Sequence, residues 1–383
     1  MRVLLVSDGS GGHLIPALQV AQALARHGVR PTVWYAHRPR IAALAERLSQ
    51  TARAQDVEVA AIPLAASGWP EKLWHCGQLW HRAQQWFDAM SPEVVVGFGG
   101  WVSGPVLLAA RQRGIGCLVH EQNVQLGRAN RWLRPWVDRV AVSFEETQSA
   151  LKGTPSFVTG LPVRQEIGRP RRAETAAWFG LDPSAPTLVV LGGSQGARAV
   201  NRLMMQVALI MTDSERQEWQ IVHLTGAADE SAVRAAYAAA GLRAWTAAHV
   251  AKVETLYAIA DVAVARAGAS TIAELARCGL PAILIPYPHA GAHQRANAQL
   301  ITAHGGGIFM EESNATPKAT LGALRLLLGD ERVRTTMGLH MRAMSRDDAA
   351  ERLSAAILRL AEEKSPGRPR PAAALSLSPE PAP

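Results

Sequence analysis

Short apolar runs recur along the chain, separated by longer stretches with helical spacing and by turn residues. Residues 3–6, 32–35, 57–62, 94–97, 118–120 and 139–143 form one series of such runs. Residues 187–191, 220–224, 244–249, 261–265 and 281–286 form a second. Brief apolar runs bounded by Gly, Pro, Ser and Asn predict buried strands of parallel sheets. Between them the apolar period is helical: Ala17, Val20, Ala21 and Leu24 share one face before Gly28, and Val200, Leu203, Met204 and Val207 share another. Strand and helix alternating in this way predict an α/β fold. The segment 160–164, GLPVR, reads as the connection between the two series, which sets domains at 1–161 and 162–340. Residues 341–363 read as a last amphipathic helix, and the Pro/Ala/Ser-rich residues 365–383 as a disordered tail.

One stretch organises the rest: residues 263–297, AVARAGASTIAELARCGLPAILIPYPHAGAHQRAN. After the strand comes a loop of small residues, Ala267 to Ser270, and then a helix from about Thr271 with Ser270 as its N-cap. Gly279 stands where a left-handed cap ends a helix most easily. A small-residue loop lets a phosphate approach the backbone, and the helix N-terminus offers N–H groups with partial positive charge. Glu274, one turn in, can present a carboxylate to sugar hydroxyls; it is equally a good residue for an early helical turn. His293, Gln294 and Asn297 follow in the next loop and helix start.

Other loops that follow predicted strands carry similar chemistry. Residues 7–13, SDGSGGH, lead into a helix and place His13 at its mouth, without the G-x-G-x-x-G spacing of a dinucleotide site. Residues 97–105, GFGGWVSGP, are glycine-rich, with Pro105 opening a helix. Residues 120–123, HEQN, put four polar groups at a strand's carboxyl end, and 192–197, GGSQGA, form a loop able to cradle a diphosphate without being a P-loop. Each has a plainer reading: an ordinary loop histidine, a tight turn, a solvated polar loop. All lie at the sheet edges where α/β folds bind ligands.

Composition narrows the classes. The chain has 383 residues, 48% of them apolar, enough for two cores. A net charge of +8 favours anionic partners, yet no dense Lys/Arg block points to nucleic acid. Cys76, Cys117 and Cys278 are widely spaced, which suits a reducing compartment and no metal or disulfide framework. The apolar start is too short for a signal peptide, and no later run reaches spanning length, so the protein is expected to be soluble or attached to a membrane from the side. The stretch 69–87 interleaves Trp69, Trp74, Trp80 and Trp86 with Lys72, His75, His81 and Arg82. It fits an interfacial membrane helix, a core helix or a protein interface.

Taken in order, GSGGH, GFGGWVSGP, HEQN, GLPVR, GGSQGAR, AGASTIAEL and HQRANA cover nearly the whole chain. This set resembles the MurG family, the peptidoglycan N-acetylglucosaminyltransferases. The resemblance implies a GT-B fold, two Rossmann-like domains facing a cleft, with the last helix returning to the N-terminal domain. It implies inverting transfer of N-acetylglucosamine from UDP-N-acetylglucosamine to undecaprenyl-linked lipid I, giving lipid II. The place implied is the anionic cytoplasmic face of the bacterial plasma membrane, with no cofactor, no metal and no nucleic acid. By the same resemblance Arg164, Ser194, Gln195, Ala269, Ser270, Thr271 and Glu274 hold the UDP, with Glu274 on the ribose hydroxyls. Val250 lines the uracil slot, and Asn123, His293 and Gln294 reach the donor sugar. Ser10, Gly11, Gly12, Gly99, Gly100 and Ser103 meet the acceptor, and His13 is the general base. By the same resemblance three positions and one short loop depart from the family pattern: Asp8 replaces glycine, Leu161 replaces asparagine, Trp101 replaces tyrosine, and the loop Ala290-Gly291-Ala292 lacks an acidic residue. Another UDP-sugar enzyme of the same scaffold, such as a glycolipid transferase or a sugar 2-epimerase, and a non-catalytic UDP-sugar binder are the rival readings.

Overall fold

Each apolar series forms its own parallel sheet. The computed structural model describes residues 1–364 except 38–41, 54–55, 64–68, 169–171, 194–195 and 290–291, with backbone alone at 43, 44, 47, 48, 69, 70 and 72. The first sheet contains β1 (Arg2–Ser7), β2 (Arg30–Ala36), β3 (Glu58–Ile62), β4 (Val94–Gly97), β5 (Gly116–Glu121), β6 (Arg139–Val142) and β7 (Ser156–Val158). Their spatial order is β3-β2-β1-β4-β5-β6-β7. The second contains β8 (Thr187–Leu191), β9 (Gln220–Leu224), β10 (Arg243–Ala247), β11 (Val262–Ala265), β12 (Ala282–Leu284) and β13 (Gly307–Phe309), in the order β10-β9-β8-β11-β12-β13. Every pairing is parallel. This is the two-part α/β organisation that the two apolar series predict.

The chain divides at Arg164/Gln165 and again at Ser345/Arg346, so one unit is Met1–Arg164 with the chain from Arg346, and the other is Gln165–Ser345. Alternation along β1 builds the first unit's core on both sheet faces: Val3 and Leu5 enter one cluster, Leu4 and Val6 the other. The last helix, Ala349–Lys364, sits in the first of these clusters, with Leu353, Ile357 and Leu360 buried beside Ala17, Val20, Ala21 and Leu24 of the Gly11–Arg26 helix. Each of Leu353, Ile357 and Leu360 stabilises the join by about 1.5–3 kcal/mol.

The single helix expected over 341–363 is in fact the tail of one helix and most of another. Glu331–Ala343 ends a few residues before Ala349–Lys364 begins, and Met341 is fully buried in the second unit. Apolar periodicity runs through both, because helical spacing does not reveal which core a face is buried against. The edge strands β7 and β13, three residues each, were not expected either. Three residues carry no period, and their place comes from pairing with β6 and β12.

Candidate active site

Strand order places the site. In the first sheet β1 lies between β2 and β4, so the chain winds outward in opposite directions from it; β8 lies likewise between β9 and β11. At such a switch point the loops leaving neighbouring carboxyl ends part to opposite faces and leave a crevice. The loops that follow β1, β4, β8 and β11 are the four small-residue loops singled out from the sequence.

In the first unit, Gly9 has φ +79°, and a Cβ there would stand 1.9 Å from the Ala36 carbonyl oxygen, so only glycine fits the turn. Ser10 is the N-cap of the Gly11–Arg26 helix without a capping hydrogen bond from its side chain. Its hydroxyl instead lies 3.0 Å from His13 Nδ1. His13 is therefore in the first helical turn, with Asp8 Oδ1 at 2.7 Å from the same nitrogen and the Ser10 N–H donating to Asp8 Oδ1 at 2.9 Å. The N–H groups of Gly11 and Gly12, in that first turn, have no partner within the helix. The β4 loop packs directly onto this turn. Gly99 (φ +89°) and Gly100 (φ +79°) pass so close that a Cβ would lie 3.0 Å from His13 Nε2 and 2.2 Å from Asp8 Cβ respectively. Ser103 is fully buried, and its hydroxyl donates to the Gly99 carbonyl at 3.0 Å, so its side chain fastens the loop from inside.

The HEQN segment is not a solvated polar loop. His120, Glu121 and Gln122 are buried, and β5 continues through Glu121. His120 donates from Nε2 to the Gly160 carbonyl at 3.1 Å, and burial pushes its pKa down to about 4, so it is neutral. The Glu121 carboxylate accepts from the Asn123 N–H at 3.0 Å and from the Gly127 N–H and Asn130 Nδ2 at 2.8 Å each. These bonds hold the turn that carries Asn123, whose carbonyl accepts from Thr147 at 3.3 Å. Glu121 and Asn130 are thus scaffolding that sequence reading missed; a carboxylate between a strand and a Gly-Arg helix start was the available signal.

In the second unit, the β8 loop turns at Gly193 (φ +87°) and Gly196 (φ +74°), and a Cβ on Gly196 would stand 2.4 Å from the Thr225 carbonyl oxygen. Ser194 and Gln195, the expected diphosphate contacts, lie outside the described residues. Behind the loop, Asn201 donates to the Thr225 carbonyl and to Asp229 at 2.8 Å each, and accepts from His223 Nε2 at 3.0 Å. The His223 ring accepts from the Tyr237 hydroxyl at 2.8 Å, and burial lowers its pKa to about 3. This buried polar chain also escaped the sequence.

After β11 the helix begins earlier than expected. It spans Ala269–Cys278, with Gly268 as the extended N-cap, so Ser270 is inside the first turn. Gly268 takes the cap because its extended backbone already points the chain into the helix. The Ser270 hydroxyl is buried and has no hydrogen-bond partner among the described residues. Ala269 and Thr271 share that turn, whose N–H groups point out of the helix start. Asn297 fastens the loop by donating to the Ala267 carbonyl at 3.1 Å, and Gly279 closes the helix at φ +60°. Glu274 is buried, at 6% exposure, and its Oε2 accepts from the Tyr257 hydroxyl at 2.7 Å. Arg266, beside the loop, donates to the Ile285 and Pro286 carbonyls at 3.1 and 3.0 Å and pairs with Glu312 at 2.5 Å. His293 and Gln294 open the His293–Ala303 helix, and Gln294 accepts from the Tyr287 N–H at 2.9 Å. Ala292 caps that helix at φ +68°, while Ala290 and Gly291 lie outside the described residues. Val250 follows β10 and is half-buried, and Arg164, also half-buried, is the last residue before the chain passes into the second unit.

Two parallel-sheet units, each with glycine-rich loops and a helix N-terminus at its switch point, define a Rossmann-like α/β protein with two phosphate-accepting loop clusters. The glycosyltransferase family 28 N-terminal domain matches residues 3–142, and the family 28 C-terminal domain matches residues 187–360. The UDP-N-acetylglucosamine–N-acetylmuramyl-(pentapeptide) pyrophosphoryl-undecaprenol N-acetylglucosamine transferase of Syntrophotalea carbinolica is 34% identical over 377 residues, covering 92% of this chain and 97% of the relative. The protein of the same description from Acidothermus cellulolyticus is 35% identical over 365 residues, with coverages of 92% and 96%. The crystal structure of Acinetobacter baumannii MurG superposes with a TM-score of 0.73 at 26% identity, covering 94% of this chain and 99% of that one. The chain belongs to the MurG family of glycosyltransferase family 28. A UDP-GlcNAc 2-epimerase from Neisseria meningitidis also superposes, with a TM-score of 0.71, but at 11% identity that likeness reaches the fold alone.

Proposed function

We propose that this protein transfers N-acetylglucosamine from UDP-N-acetylglucosamine to undecaprenyl-linked lipid I, forming lipid II for peptidoglycan. The observation that carries this reading is the clustering of the four small-residue loops at the two switch points, on a chain whose family performs this transfer. In this reading the second unit takes the donor. The first-turn N–H groups at Ala269, Ser270 and Thr271 and the β8 loop stabilise charge on the departing UDP without a change of geometry. Glu274 accepts from the ribose, Val250 borders the uracil, and His293, Gln294, Asn123 and Arg164 complete the donor contacts. The first unit takes the acceptor diphosphate on Ser10, Gly11, Gly12 and the Gly99–Gly100 backbone, with Ser103 holding that backbone in place. His13 removes the proton of the attacking hydroxyl, and the anomeric centre inverts.

Peripheral attachment to the anionic cytoplasmic face of the plasma membrane belongs to the same reading. Among the described residues no helix is long and apolar enough to cross a membrane. The Trp69–Met90 helix buries Leu79, Ala83 and Phe87, but leaves Leu73, Trp74 and Trp80 exposed. Trp132 and Trp136 are exposed on the neighbouring 128–136 segment beside the exposed Arg128 and Arg131. Both segments pack against the Ser103–Gln112 helix, so the aromatic groups belong to one side of the first unit. Aromatic side chains with cations suit a headgroup layer.

The test is purified protein with labelled UDP-N-acetylglucosamine and a lipid I analogue. The expected product is the β-linked disaccharide lipid with release of UDP. Epimerised nucleotide sugar without transfer, or binding without turnover, would replace this reading by one of its rivals.

A further inference from the structure

We propose that Asp8 is a positioning residue for His13, holding its imidazole so that Nε2 is the nitrogen that takes the acceptor's proton. The inference rests on the reading of His13 as general base.

Three observations carry it. An ionised carboxylate only accepts hydrogen bonds, so at 2.7 Å from Asp8 Oδ1 the proton of the neutral ring resides on Nδ1. That leaves Nε2 with the lone pair. Second, the Asp8 side chain is held on its own account: Oδ1 also accepts from the Ser10 N–H at 2.9 Å, and the Gly100 backbone crosses where any Cβ would strike Asp8. Third, the ring is partly exposed, and the residue packed beside Nε2 is a glycine. The His13 side chain is 24% exposed and the Asp8 side chain 12%, and Gly99 spares the space beside Nε2 that a Cβ would occupy at 3.0 Å. A carboxylate on Nδ1 of a partly exposed imidazole is the arrangement that orients a base and stabilises its protonated form.

The same contacts explain how a carboxylate is tolerated near an acceptor diphosphate. Oδ1 accepts from the His13 ring and from the Ser10 N–H, and these two donors offset part of its charge. In the transfer step the acceptor O–H proton passes to Nε2 as oxygen bonds to the anomeric carbon. The bond from that carbon to UDP breaks, with its electron pair leaving on the diphosphate. The imidazolium so formed lies against Asp8. His120, at the end of β5, also feels the charge of His13, and burial keeps it neutral. Ser10, on the same loop, is polar but uncharged.

The experiment compares Asp8→Asn, Asp8→Gly and His13→Ala with the wild type in pH profiles of kcat and KM, with UDP binding measured in parallel. Asp8→Asn keeps an oxygen able to accept from Nδ1 but removes the charge. The rising limb of kcat should move to lower pH by about one unit or more, because the protonated ring loses its partner. kcat on the plateau should fall about 10–100-fold, as when other orienting partners of functional imidazoles are lost. Asp8→Gly should fall further, donor KM and UDP affinity should hold, and His13→Ala should lose about 10²–10⁴-fold. An unmoved limb with wild-type kcat in both Asp8 variants overturns the proposal. So does a gain in rate with a lower acceptor KM in Asp8→Gly, which would make Asp8 a repulsive charge. Wild-type turnover in His13→Ala would instead remove the base assignment itself. Should the variants not fold, nitrogen-15 shifts of labelled histidine in the wild type read the tautomer directly. A His13 ring protonated on Nδ1 is expected, and one protonated on Nε2 refutes the inference.

Discussion

Replacing Glu274 separates a ligand contact from a buried acceptor inside the helix. Glu274 is 6% exposed, and the Tyr257 hydroxyl reaches its Oε2 at 2.7 Å. A hydrogen bond to a charged group contributes about 1.5–3 kcal/mol, and a buried partner left unsatisfied costs as much again in desolvation. If Glu274 accepts a ribose hydroxyl, Glu274→Ala should weaken UDP binding by about 1.5–3 kcal/mol, roughly 10- to 150-fold. Glu274→Gln, which still offers a neutral oxygen, should lose less. Tyr257→Phe is the internal control: it removes the protein's own donor and leaves the carboxylate in place. It should lower stability by about 1.5–3 kcal/mol. For a unit of this size that is about 3–10 °C of melting temperature, with UDP affinity changed only a few-fold. Isothermal calorimetry with UDP and thermal unfolding, run on the three variants together, give both quantities. Unchanged UDP affinity in folded Glu274→Ala would refute the assignment, and Glu274 would then serve the second unit as Tyr257's buried acceptor alone.

Two further outcomes follow from the same coordinates. His120 and His223 are buried neutral, with pKa values near 4 and 3 against an ordinary 6.5, so unfolding lets each take up a proton below about pH 6.5. Their stabilising effect is complete above that pH and is lost as pH falls toward the folded values. At pH 5 each unit should be about 2 kcal/mol less stable than at pH 7.5. Urea unfolding at the two values checks this, and equal midpoints would contradict it. At the membrane, Trp74→Ala with Trp132→Ala should weaken binding to anionic vesicles about tenfold or more. Stability should stay within about 0.5 kcal/mol, since the two rings are 64% and 58% exposed. Vesicle binding unchanged in the double variant would assign these rings to another surface.

Local period alone determined much of this protein. Runs such as 94–97, 187–191 and 220–224 coincide with β4, β8 and β9, and Val200, Leu203, Met204 and Val207 are buried on the face their spacing predicts. Gly279 ends its helix in the left-handed conformation expected of it. The reason is that each signal lies within one element: an apolar run, a helical face or a capping glycine needs no distant partner to be read. The candidate loops were visible for the same reason, as small residues between a strand and a helix.

What the sequence left open depends on residues far apart in the chain. HEQN could be read as ligand-facing or as a solvated loop, and neither reading foresaw the burial of His120, Glu121 and Gln122 under contacts from Gly160 and Asn130. Glu274 could be read as a helix-start residue until the helix was found to begin at Ala269, which leaves Glu274 past its first turn and against Tyr257. Apolar spacing across 341–363 could not show that Met341 and Leu353 enter different cores. The pairing of Asp8 with His13 joins residues only five apart, yet the ring is held there by Gly99 and Gly100 from the loop after β4. A side chain's direction is set by what packs against it, and across about ninety residues of intervening chain only the tertiary structure brings that neighbour into place.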